Sequence, residues 1–185
     1  MNTAVLEQKK IFHEVNSITG STASVIFGEE RFAELPVSEL VQDFGLNISV
    51  CNRSVEHATI ADAFDLLDEC IFELHPRRVF LNFGETDMVQ PDFDRDRFLA
   101  DYARLIHKIH EGCGSRVFVV SVLANDAESL RLNADLEALA ARQGCGYVDA
   151  AHIFGHEKPH LRLFSELMHC MREGRMSFTE AMQAL

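Results

Sequence analysis

The sequence predicts a three-layer αβα domain on a five-stranded, parallel, doubly wound sheet. Three observations lead there. Short runs rich in β-branched and aromatic residues alternate with amphipathic helical segments along the chain, the pattern of repeated strand–helix–strand units. Two of those runs, RVFLNF at 78–83 and RVFVVSVL at 116–123, are almost wholly apolar, as strands covered by helices on both faces must be. The 185 residues, 47% hydrophobic and 25% charged, have the length and composition of one globular domain with a sizeable core. No repeat, low-complexity tract or linker-like stretch divides them, so residues 1–185 read as a single domain.

Each element follows from local pattern. A charged helical segment from Ala4 to Ile18 leads into a first strand, Ala23 to Phe27. A helix from Val37 to Phe44 is closed by Gly45, which takes the left-handed conformation of a helix end at little cost. The second strand is Asn47 to Cys51. Thr59 is placed to cap a long helix from Ile60 to Leu74, whose Ile60, Phe64, Leu67 and Ile71 form one apolar stripe. The third strand, Arg78 to Phe83, precedes a helix from Phe93 to His110 with Phe98, Tyr102, Leu105 and Ile109 on one face. Arg116 to Leu123 is the fourth strand, Leu130 to Arg142 a helix, and Gly146 to Val148 a short fifth strand. His156 to Leu185 reads as two helical pieces parted near Gly174. Right-handed crossovers leave only a few doubly wound strand orders.

Charge and cysteine usage narrow the partners. A formal charge of −12 repels nucleic acid and anionic membrane surfaces. No apolar run approaches the roughly 18–20 residues of a membrane-spanning helix, and the opening MNTAVLEQKKIFHEV lacks the apolar centre of a signal peptide. A cytoplasmic setting is therefore expected. Cys51, Cys70, Cys113, Cys145 and Cys170 show no metal-ligand spacing, and their odd number fits a disulfide framework poorly, so reduced, mostly buried thiols are expected. The C-terminal residues Leu161, Phe164, Leu167, Met168 and Met171 are expected to pack on the sheet, with a homodimer face as the alternative.

In open α/β sheets, ligands bind beyond the carboxyl ends of the strands. The loops there are Gly28-Glu29-Glu30, Asn52 to His57, Gly84 to Asp87, Ala124 to Asp126 and Asp149 to His152. The carboxylates Glu29, Glu30, Glu85 and Asp87 read as ordinary exposed loop residues or as a cluster able to hold a hard cation such as magnesium. The second arrangement resembles the receiver domains of two-component signalling, but residues 147–151 offer no lysine to match them. No resident metal or cofactor is expected.

Taken in order, the same loops resemble the SGNH (GDSL-type) hydrolases nearly end to end. SVIFGEERFAELP stands where that family has its GDS block, and SVCNRSVEHAT where it has an Asn-Arg-Gly turn. VFLNFGETDM matches the strand running into G-x-N-D, LNADLEALAARQGCGYVD (132–149) matches the next stretch, and Glu173-Gly174-Arg175-Met176 matches D-G-x-H weakly. The resemblance implies the flavodoxin-like version of the doubly wound fold. It also implies a chemistry in which a serine attacks an ester carbonyl, a histidine takes its proton, an acid orients the histidine, and amide donors hold the oxyanion.

The residues depart from that scheme. Glu30 takes the serine's place, Met176 the histidine's, and Glu173 the orienting acid's. At the oxyanion positions stand Ser54, His57 and Thr86, while Gly28, Asn52, Gly84 and Asp87 keep the family's residues, with Glu29 and Glu85 beside them in the cleft. A carboxylate at neutral pH has no proton to lose, and a thioether cannot act as a general base. The expected protein is an inactive or strongly impaired SGNH-like hydrolase whose cleft binds a small-molecule or protein ligand. The alternatives are a hydrolase with remodelled residues, either an esterase through Ser54, His57 and Glu30 or through His152 of the D-A-A-H stretch, or a carboxylate- or metal-dependent hydrolase through Glu30 and Asp87, and a receiver-like metal-binding signalling domain. A His57–Glu30 ion pair filling the vacated site is the expected local structure.

Overall fold

The computed structural model describes residues 3–124, 126–153, 155 and 157–171. Helix α1 (Thr3–Thr19) precedes strand β1 (Ser24–Gly28), which is followed by helices α2 (Glu30–Ala33) and α3 (Val37–Asp43) and strand β2 (Val50–Asn52). Next come α4 (Ile60–Asp65), α5 (Leu67–Cys70) and a 3₁₀ turn, Phe72–Leu74, before β3 (Arg78–Asn82), α6 (Glu85–Met88) and α7 (Arg95–Cys113). The chain continues through β4 (Arg116–Val120), α8 (Ala127–Arg142), β5 (Gly146–Val148), a 3₁₀ turn at Ala151–Ile153 and α9 (Pro159–Met171). The five strands are all parallel, in the order β2-β1-β3-β4-β5, so strand order reverses at the β1–β3 pair.

Period-two side-chain alternation sends neighbouring strand residues to opposite faces, and each face has its own core. Val25, Phe27, Val79, Leu81, Val117 and Val119 face α1, α4, α5, α7 and α8. Ile26, Phe80, Phe118 and Val120 face α3 and α9. The Phe80 and Phe118 rings stack at 4.9 Å across β3 and β4. Leu163, Phe164, Leu167, Met168 and Met171 are buried in the second core and Leu161 packs at its edge, so this face of α9 lies against the sheet.

Two expectations need correction. The segment 60–74 is three short pieces rather than one helix, although no Pro or Gly marks the breaks. Its buried residues, among them Leu66, Leu67, Cys70, Ile71 and Leu74, cover more than one stripe. Phe64, expected in that stripe, is half-buried under the Arg104 guanidinium, 4.5 Å from its ring centre. The five thiols are free, but only Cys70 is fully buried. Among the described residues no helix is long and apolar enough to cross a membrane.

Helix α1 is held by a polar network. Arg53 is buried and donates through Nε and Nη2 to Asn16 Oδ1 at 3.1 and 2.7 Å. The Asn16 amide donates in turn to Glu69 O at 2.6 Å and to Glu73 Oε2 at 2.8 Å.

Candidate functional site

At the β1–β3 reversal an open cleft of about 850 Å³ lies over the carboxyl ends of the central strands. Its lining includes Glu30, Arg31, His57, Thr86, Val89 and Asp126. Its floor is set by close backbone packing. A Cβ on Gly28 would fall 2.6 Å from the carbonyl oxygen of Asn82 on the neighbouring strand, so β1 needs a glycine there. Gly84 has φ +138°, open to glycine and strained for other residues.

Beyond Gly28 the chain is extended at Glu29, and its side chain is fully buried. Its carboxylate meets the start of α6, where helix geometry leaves amides without partners. Oε1 accepts the amides of Gly84 and, at 2.7 Å, of Glu85, while Oε2 accepts that of Thr86 at 2.7 Å. Burial pushes the Glu29 carboxyl from the ordinary 4.5 up to about 8, against the pull of those donors.

Glu30 follows with φ +34°, a left-handed conformation rare for a residue with a Cβ. Its Oε1 lies 2.6 Å from His57 Nδ1 and accepts the Thr86 hydroxyl at 3.2 Å. The expected His57–Glu30 pair is therefore present, on the cleft wall. His57 is itself left-handed, at φ +59°.

The other carboxylates hold structure. Glu85 Oε1 accepts the amide of Leu123 at 3.0 Å, past the end of β4, and its Oε2 lies 3.7 Å from Arg31 Nε. Asp87 is buried and accepts the Ile60 amide at 3.0 and 3.2 Å; burial pushes its carboxyl up to about 6. Neither Glu29 nor Asp87 is an exposed loop residue. Among the described residues no group of three or more His, Cys, Asp or Glu side chains is placed to hold a metal.

The Ser54–His57–Glu30 constellation is not assembled. Ser54 lies in a different groove, of about 550 Å³, beside β2 between α1 and α3. Its Oγ is buried without a hydrogen-bond partner, and its amide donates to Asn52 Oδ1 at 3.1 Å. The Asn52 amide points the same way and donates to Phe32 O at 2.6 Å and Leu35 O at 3.2 Å. Of the three residues expected around an oxyanion, His57 and Thr86 line the cleft and Ser54 does not. His152 is exposed in the turn after β5, where Asp149 Oδ1 accepts the Ala151 amide at 3.1 Å; neither residue lines the cleft. Glu173, Gly174 and Met176 lie outside the described residues, as does the second C-terminal helical piece.

Sequence reasoning missed Arg31, Glu34 and Gln90 on the cleft wall and the inward turn of Glu29. The first three sit on or beside four-residue helices, too short for periodicity to reveal. For Glu29 a signal existed. In a doubly wound sheet the third strand lies beside the first, and a glycine followed by a helix start presents free amides to a carboxylate there.

No family model matches the sequence, and no curated protein matches it. Solved structures do. A GDSL-like lipase from Bacteroides thetaiotaomicron superposes with a TM-score of 0.69 over 96% of this chain and 98% of its own, at 15% identity. TesA superposes with a TM-score of 0.67 over 81% of this chain and 98% of its own, also at 15% identity. An acetylxylan esterase from Geobacillus stearothermophilus gives 0.65 over 81% and 94%, at 14% identity. The fold is that of the SGNH (GDSL-type) hydrolases. Within this SGNH fold the cleft at the β1–β3 reversal occupies the position that open α/β sheets reserve for ligands.

Proposed function

We propose that this SGNH-fold protein has lost serine-type ester cleavage, wholly or to a strong degree, and that its cleft holds a small-molecule or protein ligand. The supporting observation is Glu30. It stands two residues beyond β1, where the family resemblance puts the attacking serine, and its carboxylate is engaged by His57 at 2.6 Å and Thr86 at 3.2 Å. The one serine among the described cleft-lining residues, Ser129, is buried and donates its hydroxyl to Asp126 Oδ2 at 2.6 Å. Losing one triad member alone removes about 10⁴-fold or more of the rate in serine hydrolases. Met176 at the general-base position belongs to the same reading, as does a reducing, cytoplasmic setting in which the five thiols stay free.

A fluorophosphonate ester tests this directly, since it phosphonylates activated serines. Intact-mass analysis after long incubation is expected to show no adduct, while short neutral acyl ligands such as octanamide shift the thermal midpoint. A stoichiometric adduct on any serine overturns the reading.

A further inference from the structure

We propose that the Glu30–His57 pair is a water-activating base that gives the cleft a slow, non-covalent hydrolysis of small neutral or cationic acyl esters. The inference rests on the reading of the cleft as a ligand site and goes beyond binding. His57 Nδ1 is fixed by Glu30 Oε1 at 2.6 Å, and Glu30 is itself held by the Thr86 hydroxyl at 3.2 Å. A carboxylate on Nδ1 selects the tautomer whose Nε2 lone pair faces outward. Nε2 of His57 has no hydrogen-bond partner among the described residues, and the side chain is 70% exposed on the cleft wall, within reach of water and ligand. The pair uses the base and orienter of a triad without its serine.

The step balances with water as nucleophile. Water oxygen bonds to the ester carbonyl carbon while His57 Nε2 takes its proton, and Glu30 stabilises the imidazolium. The tetrahedral intermediate then expels the alkoxide as the C–O bond breaks, and the imidazolium returns the proton to it. Ester and water give acid and alcohol. Arg31, the only Lys or Arg among the described cleft-lining residues, supplies positive charge on the same wall. Glu30, Glu34, Glu85 and Asp126 make the cleft acidic, which excludes anionic substrates. The apolar side, with Met88, Val89, Val122 and Ala124, suits a short acyl chain.

The test is p-nitrophenyl acetate hydrolysis by the full chain, with His57→Ala, His57→Gln and Glu30→Gln compared at matched folded content by circular dichroism. Expected is turnover without a burst, about 10²–10⁴-fold above the uncatalysed rate, the usual yield of a positioned base. It should fall at least about 10-fold in both His57 variants, and Glu30→Gln should lower kcat while leaving KM unchanged. Absent turnover, or turnover indifferent to His57, overturns the dyad and leaves the ligand-binding reading standing. A burst with acyl-serine detected by mass overturns both.

Discussion

Thr86 holds two consecutive carboxylates at once. Its amide donates to Glu29 Oε2 at 2.7 Å and its hydroxyl to Glu30 Oε1 at 3.2 Å, so the start of α6 is bonded to the two residues that follow β1. One of these acids is buried as structure and the other faces the cleft.

Glu29→Gln is expected to destabilise the fold by about 1–3 kcal/mol, because the new amide group has no acceptor lone pair for one of the three backbone donors it must meet. Urea denaturation followed by circular dichroism measures the change. A midpoint equal to the parent's would show that the amides find other partners.

Stability should fall as pH rises from about 5 to 8. Burial raises the Glu29 carboxyl to about 8 and that of Asp87 to about 6, so between the unfolded and folded values the native state holds more protons than the unfolded chain. Deprotonation then favours unfolding. His13, raised by its bond to Glu73, acts in the same direction, since its stabilisation is lost as the ring deprotonates above its ordinary 6.5. Thermal midpoints across this range should decline, and Glu29→Gln should decline less between pH 6 and 8. A parent midpoint that rises with pH would refute the sign.

Glu30→Gly should leave the thermal midpoint unchanged or raise it, even though it removes the contacts to His57 and Thr86. A left-handed residue with a Cβ costs roughly 1–2 kcal/mol, and a largely exposed ion pair returns about 0–1. A clear drop in midpoint would mean that those two contacts outweigh the strain.

Gly28→Ala should cost about 1–3 kcal/mol, because its Cβ would press on the Asn82 carbonyl at 2.6 Å and backbone cannot swing aside as a side chain can. Thermal melts check it, and a loss under about 0.5 kcal/mol would mean that β1 and β3 separate at little cost.

The sequence made the sheet legible and the site only partly so. β5 is found where the pattern puts it, Gly146–Val148, and β3 begins at Arg78 as expected, because apolar runs between turns leave little choice of period. The segment 60–74 went astray because a helix buried on several sides has no single stripe, and its breaks are set by packing around Leu66 and Ile71. The His57–Glu30 contact could be anticipated from two loops at one end of neighbouring strands. That Ser54, three residues before His57, lines a different groove, with its amide donating to Asn52 Oδ1, could not, since loop spacing carries no periodicity to set it.

The latch of Glu29 on three successive amides, extended to the end of β4 by Glu85 and Leu123, makes the loops of three strands one mechanical unit. Such a platform tolerates redecoration above it. Glu34 and Val89 stand on the rim and take no part in the latch, so a combinatorial library at these two positions should yield folded proteins with altered ligand preference.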